Sequence, residues 1–343
     1  MSEECKGRSW VRPINGRVVR SVAMVWSLLV CLLPAAVANG QGIAAKYARD
    51  AGIANDPDVI LAEMFEDSVS AVASRWTQTE NTAGMSLSTD RPTASGGARS
   101  LLITSVGGSN SGGYLYKNLG AGHDQVFLRY YVKYAGTGTY HHSGGWLGGF
   151  NPATNWPQGG AAIKPSGTDR FTIGPEPTDA NRRFDFYTYW MDMRVSPDGV
   201  NYWGNTFLRN SNPIVPADQW MCVEVMVKMN SPTSESNGEM ALWIDGNQVI
   251  HLRQGGPSGN WLVNMFTPAA NGTPRTGFRW RATEALKLNW LWLKHYTTAD
   301  PSGFVGRMWW DHVVLARKYI GPINTAPTDN MPPSPPTQLR PLT

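Results

Sequence analysis

The sequence predicts an all-β protein, a sandwich of two antiparallel sheets. Three observations carry that expectation. Short segments alternate with period two, they are rich in aromatic and β-branched residues, and Gly, Asn, Asp and Pro punctuate them. In chain order the clearest are SLLITSV (100–106), QVFLRYYVKY (125–134), RFDFYTYWMDMRV (183–195) and MCVEVMVKM (221–229). MALWIDGNQVIHL (240–252), LKLNWLWLKHY (286–296) and RMWWDHVVLARKYI (307–320) follow. Asp245-Gly246 marks a tight hairpin turn. A helix is expected only as a short segment near Ala71–Arg75. So many short strands need two packed sheets to bury their inner faces, as a jelly roll provides.

A separate segment precedes the strands. Arg17 and Arg20 lead into the apolar run VAMVWSLLVCLLPAAVA (22–38), which closes on Ala36-Val37-Ala38. Basic residues, a short apolar core and small residues at −3 and −1 make residues 1–38 a signal peptide cut near Ala38. The mature chain is expected to be secreted or periplasmic. The run is short for a membrane span and contains Pro34, so no span is expected in the mature chain. Residues 39–58 form a Gly/Ala-rich lead-in, and residues 59–323 the jelly-roll domain. Residues 324–343, NTAPTDNMPPSPPTQLRPLT, form a Pro-rich tail that cannot bury a core.

Of 30 Lys/Arg and 26 Asp/Glu, removal of residues 1–38 leaves 25 and 24. No basic run remains, so nucleic acid is not expected as a partner. Cys5 and Cys31 go with the leader, and Cys222 alone cannot form a disulfide within one mature chain. It alternates within a strand and reads as a buried residue.

Several catalytic signatures are absent: HExxH, Cys/His zinc spacing, GxSxG, a phosphate loop, and the E-x-D-x-x-E run of sandwich glucanases. The nearest acidic cluster, Glu63, Glu66 and Asp67, falls on the first strand and its turn. Sheet edge, cap or calcium ligand are its plainer roles. No cofactor is expected, and a structural calcium stays open.

What the chain does carry is a set of aromatic, hydroxyl-bearing strands. Alternation sends Tyr187 and Tyr189 to one face, and Phe186, Thr188 and Trp190 to the other. Trp290, Trp292, Lys294 and Tyr296 share a face opposite His295. Arg129, Tyr131 and Lys133 share another, opposite Tyr130 and Tyr134. A face bearing Tyr, Lys, Arg and His suits an acidic polysaccharide: rings stack on sugars, cations hold carboxylates, and tyrosines move protons. The same aromatics also serve as packing between sheets, and alternation does not separate the two uses. YHHSGGWLGGFNP (140–152) adds the adjacent His141 and His142 ahead of Trp146. On a regular strand they point to opposite faces, but AGTGT (135–139) breaks the register before them. Spacing identifies no third ligand beside them, so no metal site is expected.

Residues 59–323 resemble the concanavalin A-like jelly roll of family 14 polysaccharide lyases, and more loosely the glucuronan lyases. YYVKY…HHSGGWLGGFNP is similar to the family's strand leading into a glycine-rich K-x-P-G-l-x-G-G segment. RFTIGPEP…FYTYW is similar to its F-S-x-R…Y-x-Y strand pair, and LWIDGNQVIHL…MWWDHVVLARKYIGPI to its closing strands. The resemblance implies β-elimination on a uronate polymer, with the family's paired tyrosines on Tyr187 and Tyr189 and its serine on Thr172. Its arginine falls on Gly174, and its lysine falls near His141, His142 or Ser143 without a lysine present. His141, His142, Lys164, Arg170 and Arg182 are the candidates to replace those cations, because imidazole titrates near neutral pH and the others are charged.

The sequence thus yields these expectations. The chain is a secreted polysaccharide lyase on an acidic polysaccharide, with Tyr187, Tyr189, His141 and His142 in catalysis. Thr172, Arg170, Lys164, Arg129, Lys133, Trp146, Trp292 and Lys294 bind the substrate. The alternatives are a non-catalytic carbohydrate-binding or lectin-like module, a glycoside hydrolase on the same scaffold, or a cell-envelope structural protein.

Overall fold

A computed structural model describes residues 42–325, apart from 139 and 299. The expected signal peptide and most of the Pro-rich tail lie outside the described residues. The early elements are β1 (Val59–Glu63), α1 (Val69–Arg75), β2 (Gln78–Glu80), β3 (Met85–Ser88), β4 (Ser100–Val106) and β5 (Gly112–His123). The middle ones are β6 (Gln125–Tyr134), β7 (Gly144–Phe150), β8 (Arg170–Pro177), β9 (Phe184–Tyr189) and β10 (Trp220–Lys228). The chain continues through β11 (Glu239–Ile244), β12 (Asn247–Leu252), β13 (Gly259–Leu262) and β14 (Met265–Pro268). It closes with β15 (Leu288–Tyr296) and β16 (Val305–Ala316). Each segment read from alternation contains a strand, although residues 190–195 follow β9 as turn and loop, and α1 is capped by the Ser68 hydroxyl, which accepts from the Ala71 N–H.

The strands form two large antiparallel sheets and a small hairpin. One large sheet has the order β12-β11-β10-β6-β16-β4-β3 with β1 beside β16, and the other runs β2-β5-β15-β7-β8-β9. Their inner faces interlock through Leu101, Ile103, Leu128, Val132, Leu147, Phe171, Ile173 and Val225, all buried. Period-two alternation is what supplies that face. His295 points inward, and its two nitrogens meet Ser143 Oγ at 3.1 Å and Ser105 Oγ of β4 at 3.0 Å, which ties the sheets together. No described helix is long and apolar enough to cross a membrane.

The outer face of the eight-stranded sheet is covered, and this relocates two residues expected at the substrate. The lead-in packs there through Ile43, Ala44 and Ile53 against Val314, Ala316 and Ile320. Its Asp50 pairs with the fully buried Arg129 and with His312 Nδ1 at 2.8 Å. Lys133 pairs with Asp90 and lies over the Trp309 ring. Arg129 and Lys133 do share a face, but β6 belongs to the sheet that does not carry Tyr187 and Tyr189. Parity along one strand says nothing about which sheet the strand joins.

Candidate active site on the six-stranded sheet

Register sorts the outward side chains of β2-β5-β15-β7-β8-β9 into rows. One row runs Glu80, Tyr114, Lys294, Gly144. Glu176 follows on β8, its Cβ 3.7 Å from where a Gly144 Cβ would sit. The next row holds Gln78, Tyr116, Trp292, Trp146, and Tyr187 opposite Gly174. A third holds Asn118, Trp290, Gly148, Thr172 and Tyr189. Phe150 and Arg170 pair beyond it. Gly174 and Gly148 give the indoles room, since a Cβ would lie 2.4 Å from the Trp146 ring and 2.3 Å from the Trp290 ring. At Gly174, where the resemblance implies an arginine, Trp146 takes the space.

Trp146 is the hub of the face. Lys294 Nζ sits 3.4 Å from its ring centroid, with the His142 ring at 5.7 Å and the Tyr187 ring at 6.0 Å. The Tyr189 hydroxyl donates to the Tyr187 hydroxyl at 3.2 Å. The two histidines are not on a strand. They occupy a turn closed by the Ser143 N–H donating to the Tyr140 carbonyl, with His142 in the left-handed region at φ 67°. That turn cancels alternation, so both rings lie on one side, 3.7 Å apart between centroids. His141 Nδ1 and His142 Nδ1 stand 2.9 and 3.4 Å from Glu176 Oε1. Glu176 was not anticipated from the sequence, where spacing identified no third group beside the pair. The available signal was its parity with Thr172 and Gly174 along β8.

Electrostatics differentiate these groups. Burial pushes Lys294 down to about 7, against the opposing pull of Glu176. Burial, then Tyr189, raises the Tyr187 hydroxyl far above its ordinary value, and burial also raises Tyr189. Burial pushes the Glu176 carboxyl up, but the two histidines more than offset this and hold it below its usual range. Among the described residues Lys294 makes no hydrogen bond or ion pair, only ring contacts with Trp146, Trp292 and Tyr296.

The remaining expected residues spread more widely. Thr172 is half-buried beside Tyr189. Arg170 lies over the Tyr189 ring at 5.5 Å while donating to the Gly160 and Ile163 carbonyls. Lys164 is exposed above Tyr202. Arg182 donates to the carbonyls of Tyr134, Ala135, Val215 and Pro216, so it braces the neighbouring loop. Beside Lys294 about 690 Å³ of open space is lined by Glu80, Tyr114, Pro157, Trp292 and Tyr296. A larger depression of about 1030 Å³ is lined by Trp190, Asp192, Arg194, Trp261 and Arg275 among others. It holds no histidine, lysine or tyrosine, so the smaller space is the better candidate for proton-transfer chemistry.

No family model matches the chain, and no curated protein matches it. Among solved structures it is similar to the alginate lyase Aly36B at 18% identity, covering 75% of this chain and 94% of that one, with TM-score 0.45. It is similar to the alginate lyase vAL-1 from Chlorella virus at 12% identity, covering 74% and 100%, with TM-score 0.45. An endo-β-1,4-glucuronan lyase from the fungus Trichoderma reesei is 13% identical, covering 70% and 90%, with TM-score 0.39. The strands themselves make this chain an all-β jelly-roll sandwich of two antiparallel sheets.

Proposed function

We propose that the chain is a polysaccharide lyase that cleaves a uronate-containing polysaccharide by β-elimination. The observation that carries the reading is the group gathered on Trp146: a buried lysine without a hydrogen-bonded partner, a tyrosine pair, and a histidine pair. β-Elimination needs a base for the C5 proton, an acid for the leaving O4, and positive charge on the carboxylate so that C5–H becomes acidic. Lys294 takes the C5 proton as a free amine, which its depressed titration makes available at neutral pH. The electron pair left on C5 forms the C4=C5 double bond as the C4–O4 bond breaks. The Tyr187 hydroxyl, kept protonated by burial and oriented by Tyr189, gives its proton to O4. The side of the histidine pair receives the carboxylate. Tyr296, Trp156 and Trp203 are exposed rings suited to stacking on sugar units. This differs from the sequence expectation, in which the histidines shared the acid–base work and Lys294 only bound substrate.

Incubation with a panel of uronate polymers, alginate and glucuronan included, is expected to yield ultraviolet-absorbing unsaturated products, and Tyr187→Phe to lose them. Folded protein that releases none from the whole panel would remove the lyase reading. The exposed rings favour a binding module as the second reading, for which glycan retention without bond cleavage is the signature. New reducing ends without the chromophore indicate a hydrolase.

A further inference from the structure

We infer that His141, His142 and Glu176 form a binding site for one divalent d-block cation of the zinc class. Each residue offers one ligand atom, and these atoms lie within 4.8 Å of one another. Two ligands bound at 2.0–2.1 Å sit about 2.9 Å apart at right angles and about 3.4 Å apart at tetrahedral angles. The two nitrogen–oxygen separations here are 2.9 and 3.4 Å. The second observation is independent of spacing. The Glu176 side chain is fully buried, yet among the described residues neither of its oxygens receives a hydrogen bond, and His142 Nδ1 is buried without one as well. The histidine nitrogens approach at ion-pair distance but off the hydrogen-bond direction. The histidines offset that burial only as imidazolium; beside neutral imidazoles the carboxylate keeps its desolvation penalty, which a cation between the three groups relieves. Lys294 acts on Glu176 only at a distance: among the described residues its ammonium rests on the Trp146 ring and forms no ion pair.

The donor set selects the ion. Two imidazoles and one carboxylate suit zinc and its neighbours, whereas calcium and magnesium take oxygen ligands. Three protein ligands leave a further position open, as in catalytic rather than structural sites. The left-handed backbone at His142 is what turns both rings to one ligand. Resting on the lyase reading, the open position takes the uronate carboxylate, so the ion supplies the positive charge for which Gly174 offers no side chain.

The test uses the full chain, stripped by a chelator and titrated with Zn²⁺ by calorimetry and with Co²⁺ by visible absorbance. One equivalent is expected to bind with micromolar or tighter Kd. His141→Ala and Glu176→Gln are each expected to weaken it at least tenfold. His141 is exposed, so its variant should keep the parent circular dichroism even if the Glu176 variant does not fold. His251→Ala, at the separate His251–Glu239 pair, should bind as the parent does. Absence of stoichiometric Zn²⁺ and Co²⁺ binding overturns the site, as does binding that survives His141→Ala in folded protein. Metal bound without unsaturated products sinks the lyase reading and leaves the site standing. Lyase activity equal in stripped and zinc-loaded protein overturns the ion's catalytic use.

Discussion

With Lys294 as the base, product formation must follow its free amine. Burial pushes this ammonium down to about 7, whereas an unperturbed lysine titrates at about 10.4. At pH 7 roughly half of Lys294 is then free amine, against about 0.04% of an ordinary lysine, a gain of about a thousandfold. The titratable groups around it are Glu176 from β8, His142 and Tyr187 across the shared Trp146 ring, and Glu80, Tyr114, His295 and Tyr296 around the adjoining space. Burial raises Tyr114 to about 12 and lifts Tyr187 further, so both stay protonated at neutral pH. Between pH 6 and pH 8 the free-amine fraction climbs about tenfold, and kcat/KM is expected to rise with it and then level off. The assay is the initial rate of ultraviolet-absorbing product across that range. Lys294→Arg keeps the charge but cannot release a proton, and should lose about 10²–10⁴-fold in rate. Nuclear magnetic resonance of Nζ reads the titration without activity. The reasoning fails if Lys294→Arg keeps its rate and the same acid limb, or if Nζ titrates near 10.

Three further outcomes are expected. Burial holds His295 down to about 4, so below about 6.5 the unfolded chain takes up a proton that the folded chain refuses. This contribution is complete above the unfolded pKa and falls by up to about 3 kcal/mol from pH 6.5 to 4. Urea unfolding across that window should show a shallower pH slope for His295→Gln, and equal slopes would refute the assignment. Asp50→Ala leaves Arg129 buried without its carboxylate and should destabilise by about 3–5 kcal/mol; an unchanged Tm would contradict that role. Gly174→Ala drives a Cβ into the Trp146 ring and should destabilise by about 1–3 kcal/mol. It should also depress activity by moving the surface on which Lys294 rests, so an unaltered tryptophan emission spectrum would count against the hub.

The fold was legible because alternation is a local property that survives into the sheets: every quoted segment contains a strand, although WMDMRV after β9 turns away. Partition between the sheets was not legible. Arg129 and Lys133 carry the right chemistry and share a face, but only the pairing of β6 with β10 and β16 reveals that Asp50 and Asp90 occupy them. At the histidines parity left the face open, and a single left-handed residue brings both rings to one side. Glu176 stood in plain alternation with Thr172, yet nothing in GPEP says that its carboxylate meets a turn more than thirty residues earlier. Lys294 shares a face with Trp290 and Trp292 as alternation requires, while its depressed titration arises from burial, to which Trp146 of the neighbouring β7 contributes.

The position of β16 has a consequence for biosynthesis. This strand, nearly the last described, sits between β6 and β4 at the middle of its sheet. Until it is made, β6 with β10–β12 and β4 with β3 are two separate ribbons with open edges. A growing chain therefore cannot close its sandwich progressively and must wait for residues 305–316, a non-local pairing of the slow-forming kind. Truncation within β16 is expected to yield aggregating fragments rather than a smaller stable domain, because each ribbon would present an unpaired edge to its neighbours.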